Sequence, residues 1–122
     1  MTWLTRTLGL LTAGYGVAVL ARPQLLAKPC ALTEADGSVP VSVAALARAA
    51  GVRDLASGVA LALAPAGGPL RLAVALRTAA DLSDAVLFGL ALPNPTTRKR
   101  AAAGAAAWGV LCALSAVPDR AR

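Results

Sequence analysis

Residues 71–84 read RLAVALRTAADLSD, and the placing of Arg77, Asp81 and Asp84 in this otherwise apolar run decides the fold. Their i, i+4, i+7 spacing puts all three on one helical face, within about 60° of one another. Leu70, Val74 and Phe88 continue the same stripe above and below. A single polar stripe on an apolar helix should face partner helices and turn its other sides to a nonpolar medium. The preceding apolar run contains Gly51-Val-Arg53-Asp54-Leu-Ala-Ser57-Gly58. Gly51, Asp54 and Gly58 share one face there, while Arg53 points about 100° away from Asp54, on the side of Ser57. The two glycines are expected to bring this helix close to the next one, so that Arg53 or Asp54 meets the stripe.

Working outward, four helix-length apolar segments emerge, at about 3–21, 43–64, 70–92 and 101–117. Each is near the roughly 20 residues a bilayer requires. The first carries Gly9, Gly14 and Gly16, small residues that permit close helix approach. It also has the outline of a signal peptide, with Arg6, an apolar stretch and Val19-Leu20-Ala21 as a crude cleavage site. The glycines and Tyr15 suit a packed helix better. Residues 22–40 form a long connection punctuated by Pro23, Pro29, Gly37 and Pro40, in which Gln24 to Leu32 is expected to lie as a short interfacial helix. Pro65-Ala-Gly-Gly-Pro69 marks a tight turn and Pro93-Asn-Pro95 another, followed by Arg98-Lys99-Arg100. The tail from Pro118 to Arg122 is polar. The expected fold is therefore all-α: a single four-helix transmembrane bundle over residues 1–122 with a long first connection. Arg22, Lys28 and the Arg98–Arg100 run place the first and third connections in the cytoplasm, against the opposing pull of Arg120 and Arg122.

The composition agrees. Of the 122 residues, 57% are hydrophobic and 15% charged, against about 25% charge in an ordinary soluble domain. Because much of the apolar content is Ala, a soluble Ala-rich helical bundle is the competing reading. The net charge of +6 does not indicate nucleic acid, since aromatic residues are only 3% and offer no stacking platform. The basic surplus reads as membrane topology and contact with anionic lipid. The chain has no His, which removes His triads, His-ligated haem and nearly all zinc sites. Cys30 and Cys112 are far apart and outside any CxxC spacing, so they read as free thiols. No metal and no cofactor is expected.

The central charges are costly. Each Arg or Asp near the bilayer centre costs about 2.5–3.5 kcal/mol, and each Leu or Val returns only about 0.3–0.6. The segment 70–92 should therefore enter the membrane as a hairpin with 43–64, its charges already matched. Arg53, Asp54, Arg77, Asp81 and Asp84 leave one excess negative charge, so either Arg48 joins or one carboxyl keeps a proton. Asp81 and Asp84 are the expected pair to share it. As candidate site residues, Asp54, Asp81 and Asp84 would supply acid–base chemistry, and Arg53, Arg77, Ser57, Gly51 and Gly58 would shape a binding site. The bland alternative is that these charges only hold two helices together.

With those residues in view, the chain resembles a family of small four-span bacterial integral membrane proteins known only as a domain of unknown function. The resemblance rests on Gly14-Tyr15-Gly16 followed by Arg22-Pro23, on Gly51-Val-Arg53-Asp54-Leu-Ala-Ser-Gly58, and on Arg71, Arg77, Asp81 and Asp84. It covers about residues 8–92 and implies a multi-pass bundle in the inner (plasma) membrane, without an activity. Three functions fit. One is a module that binds a lipophilic small molecule or supports a membrane complex, with membrane lipid as its other partner. Another is a membrane enzyme performing cyclisation or isomerisation by acid–base chemistry on a lipophilic intermediate, against which the scarcity of aromatics counts. The third is a transporter or proton-coupled subunit, which needs a homo-oligomer to complete a pathway.

Overall fold

The computed structural model describes residues 2–116, and every regular element among them is helical. The elements are α1 (Thr2–Ala21), α2 (Gln24–Ala27), α3 (Val41–Leu63), α4 (Gly68–Ala91) and α5 (Pro95–Ser115). The four long helices match the four apolar segments to within a few residues, except that α5 starts earlier than expected. Asn94 is its N-cap, accepting from the amides of Thr96 (3.0 Å) and Thr97 (3.1 Å), and Pro95 fits the first turn. Arg98, Lys99 and Arg100 thus lie on the helix, not before it. The turn between α3 and α4 uses Gly67 at φ +100, a conformation that favours glycine. The interfacial helix expected over residues 24–32 is reduced to the single turn of α2. Residues 117–122, including Arg120 and Arg122, lie outside the described region.

The long helices run up, down, up, down, each antiparallel to its two neighbours. Two pairs pack tightly. On the α1–α3 face, a Cβ added to Gly9 would meet Gly58 O at 2.7 Å, and one added to Gly51 would meet Gly16 O at 2.8 Å. On the α4–α5 face, a Cβ on Gly109 would lie 2.9 Å from the Asp81 Cβ. Between α3 and α4 the contact is much sparser. The glycines at 51 and 58 therefore do not serve the approach expected of them. They pack α3 onto α1, where Gly9 and Gly16 offer matching gaps at the same seven-residue spacing. The expected pairing of the 43–64 and 70–92 segments as a close hairpin is likewise replaced by α1 with α3 and α4 with α5.

Polar and apolar residues are distributed inside out. Thr5, Thr12, Asp54, Arg77, Asp81 and Ser115 are buried, while Leu10, Leu46, Leu63, Leu72, Leu90 and Leu114 are exposed across all four long helices. One end of the bundle is closed by Leu61, Ala73 and Val74, with Ala64 and Ala116 against them. At that end Thr5 Oγ1 donates to the Ser115 hydroxyl at 2.9 Å, tying α1 to α5. Among the described residues, α1 alone is both long and apolar enough to cross a bilayer by itself, with a mean hydropathy of 1.3. α3 and α4 exceed the charge a lone span tolerates; of their central charges Asp54, Arg77 and Asp81 are buried, while Arg53 is 41% exposed.

Candidate functional site

The site forms where α3 and α4 stand apart. Arg77, midway along α4, is 2% exposed and spends every guanidinium nitrogen. Its Nε donates to Asp81 Oδ2 at 3.1 Å, and its Nη2 to Asp81 Oδ1, one turn on along the same helix. Its Nη1 reaches across to Asp54 Oδ1 at 2.6 Å and to the Ser57 hydroxyl at 2.8 Å. Arg53 closes a second bridge in the opposite direction, from α3 to α4. Its Nη1 and Nη2 donate to the two carboxylate oxygens of Asp84 at 3.0 and 2.6 Å. A longer contact of 3.4 Å runs from Arg53 Nη2 to Asp54 Oδ1. Two-pronged pairs of this kind fix geometry as well as charge. The stripe and the Arg53-Asp54 pair are thus joined as the spacing required, by both residues and not by one of them.

The charge balance is also resolved. Arg48 does not join; its Nε donates to Leu20 O at 3.2 Å, on the exposed side of α3. Two guanidinium groups therefore face three carboxylates. Asp81 and Asp84 do not share a site, because each is held by its own arginine. Asp54 is the odd one out. Both arginines converge on its Oδ1, and among the described residues no donor reaches its Oδ2. The residue is nevertheless only 8% exposed.

Above this network lies a cavity of about 430 Å³, reached by all five charged residues. Its walls come from every long helix: Leu11, Thr12 and Tyr15 from α1, Ala50 from α3, Phe88 from α4, and Ala101, Ala105 and Trp108 from α5. Trp108 is set by its indole Nε1, which donates to Thr12 Oγ1 at 3.1 Å. Leu26, Pro29 and Cys30 of the first connection lie over the cavity. Burial pushes the Cys30 thiol above its ordinary pKa, and the negative charge of Asp84 adds to the effect. The cavity therefore extends from mid-bundle towards the end that carries Arg22, Lys28 and Arg98–Arg100, opposite the closed apolar end. Among the described residues no three potential metal ligands converge.

Of the residues expected at the site, Arg53, Asp54, Arg77, Asp81 and Asp84 line the cavity, and Ser57 lies directly behind it as a partner of Arg77. Gly51 and Gly58 face α1 instead. The sequence reading passed over Thr12, Tyr15, Cys30 and Trp108 as site residues. Thr5 and Thr12 carried a signal, being the same seven residues apart as the glycine pairs and hence on one face of α1. No known protein family, curated protein or solved structure matches the chain. The likeness to small four-span bacterial membrane proteins stands on the quoted motifs alone.

Proposed function

We propose that this chain is a multi-pass membrane protein whose four long helices all span the bilayer and whose central cavity holds a lipophilic small molecule. The observation that carries this reading is an apolar-walled chamber with a polar floor, set inside a bundle that is apolar on its outside. Its volume, about 430 Å³, falls within the roughly 300–1,000 Å³ typical of small-molecule sites. The helix lengths of 20, 23, 24 and 21 residues suit a hydrocarbon core of about 30 Å. The central Arg and Asp of α3 and α4 pair with one another across the bundle, which lessens the main objection to their spanning.

Trp108 makes the reading testable. In a Trp3→Phe protein reconstituted into nanodiscs it is the sole tryptophan, and a lipid-soluble quinone quenches indole fluorescence on contact. Saturable quenching, displaced by an excess of a nonquenching lipophile, is the expected result. Quenching that rises without saturation, as for free partition into the bilayer, would sink the proposal.

A second reading has one observation in its favour. Three of the four aromatic side chains in the sequence, Tyr15, Phe88 and Trp108, line the chamber that holds the carboxylates. The scarcity of aromatics therefore weighs less against acid–base chemistry through a positively charged intermediate. Asp54, with one oxygen free, is the group placed to exchange a proton with a bound substrate.

A further inference from the structure

The cavity has a sign. Its five charged residues comprise Arg53 and Arg77 against Asp54, Asp81 and Asp84, so two positive groups face three negative ones. Asp81 and Asp84 each take a two-pronged arginine, whereas Asp54 is held through Oδ1 alone, by Arg77 at 2.6 Å and Arg53 at 3.4 Å. The Asp54 Oδ2 accepts from no donor among the described residues and is open to the cavity, its side chain being 12% exposed. No side chain from α1 or α5 supplies the missing cation: Tyr15, Thr12 and Trp108 are neutral, and the nearest spare arginine, Arg48, is held outside by Leu20 O.

A second observation points the same way independently. A chain with 3% aromatic residues has placed three of its four rings around this one chamber. Faces of Trp, Tyr and Phe attract cations, most strongly where water is excluded. An unpaired carboxylate oxygen and a partial aromatic cage are complementary to the same ligand class.

We infer that the cavity selects an amphiphilic organic monocation, an alkylammonium on an apolar body, with its charge seated against Asp54 and its body along Tyr15, Phe88 and Trp108. This deepens the lipophile-binding reading and rests on it. The bound cation completes the charge balance of the bundle interior, which no residue of the chain does. Neutral lipophiles fill the same space but leave the cavity lining one positive charge short, and anions add to its negative surplus.

Isothermal titration calorimetry on the full chain in nanodiscs of zwitterionic lipid separates the cases. The probes are phenylbutyl(trimethyl)ammonium, the neutral hydrocarbon in which carbon replaces its nitrogen, and phenylbutanesulfonate. The expected order is cation above neutral isostere by about tenfold or more, with no binding of the sulfonate. Asp54→Asn should abolish the preference, so that cation and neutral probe bind alike. Phe88→Leu, which removes one ring from the cavity wall, should lower cation affinity several-fold more than affinity for the neutral probe. Equal affinity for cation and isostere would overturn the charge selection and leave the lipophile site standing. Preference for the sulfonate would overturn it in favour of Arg53 as the recognising group. Failure of all three probes to bind would overturn both readings together.

Discussion

Arg77 is shared by Asp54, Ser57 and Asp81, whereas Asp54 is shared by two arginines and keeps one oxygen free. These two positions should respond to mutation in opposite ways. Arg77→Leu strands two carboxylates in the bundle interior and should cost about 3–5 kcal/mol, the scale of breaking a buried pair from one side. Asp54→Asn keeps an oxygen for the Arg77 hydrogen bond and leaves two matched ion pairs, so its cost should stay within about 1 kcal/mol. Circular dichroism during thermal unfolding in detergent tests both. Cys30 offers a pH test outside the spans. Because burial raises its thiol pKa, the stability gained from keeping it neutral is present below the unfolded thiol's pKa and lost as pH rises through the folded one. Alkylation of Cys30 should accordingly be slower at neutral pH than alkylation of a cysteine placed at exposed Ala35. The carboxylate–guanidinium network was legible from spacing alone, because i, i+4, i+7 fixes a face. Which oxygen stays free was not, since that depends on the approach of α3 and α4 and on where Arg48 goes.

At the scale of the helices, the glycines of α1 and α3 divide into those that touch backbone and one that touches nothing. A Cβ on Gly58 would press against Gly9 O at 2.6 Å, while one on Gly14 meets no atom within 4 Å. Gly58→Ala should therefore force α1 and α3 apart at a cost of about 1–3 kcal/mol, the range for overpacked interiors. Gly14→Ala should be neutral or stabilising by about 0.5–1 kcal/mol, from helix propensity alone. The pair shares chemistry and differs only in contact, so their difference in melting temperature isolates the interface. The existence of the four long helices and most of their limits were readable from Pro and Gly punctuation, but the start of α5 was not, because Asn94 caps it ahead of the basic run. Their pairing was not, because Gly51 and Gly58 mark a close-approach face without naming the partner. The partner was written on α1, in Gly9 and Gly16 at the matching interval.

At the scale of the whole molecule, Arg22, Lys28, Arg98, Lys99 and Arg100 gather at the end of the bundle towards which the cavity extends. On the proposed four-span arrangement, the positive-inside tendency would put that end in the cytoplasm. Ala35→Cys should thus be shielded from a membrane-impermeant maleimide added to intact cells, and Ala66→Cys, in the opposite turn, should label; the reverse pattern would invert the orientation. The tightly fitted pairs, α1 with α3 and α4 with α5, are also consecutive along the chain, and the exposed turn at residues 64–67 is all that links them covalently. The bridge between them joins ion pairs, with donors and acceptors contributed from both sides, to the Thr5–Ser115 and Trp108–Thr12 hydrogen bonds and the apolar contact of Leu61 with Ala73 and Val74. Each half is therefore a self-contained hairpin whose unmatched charges specify the other half. A gene cut in that turn and expressed as two open reading frames should give fragments that find each other in the membrane, with Arg53 and Asp84, Arg77 and Asp54 acting as the recognition code.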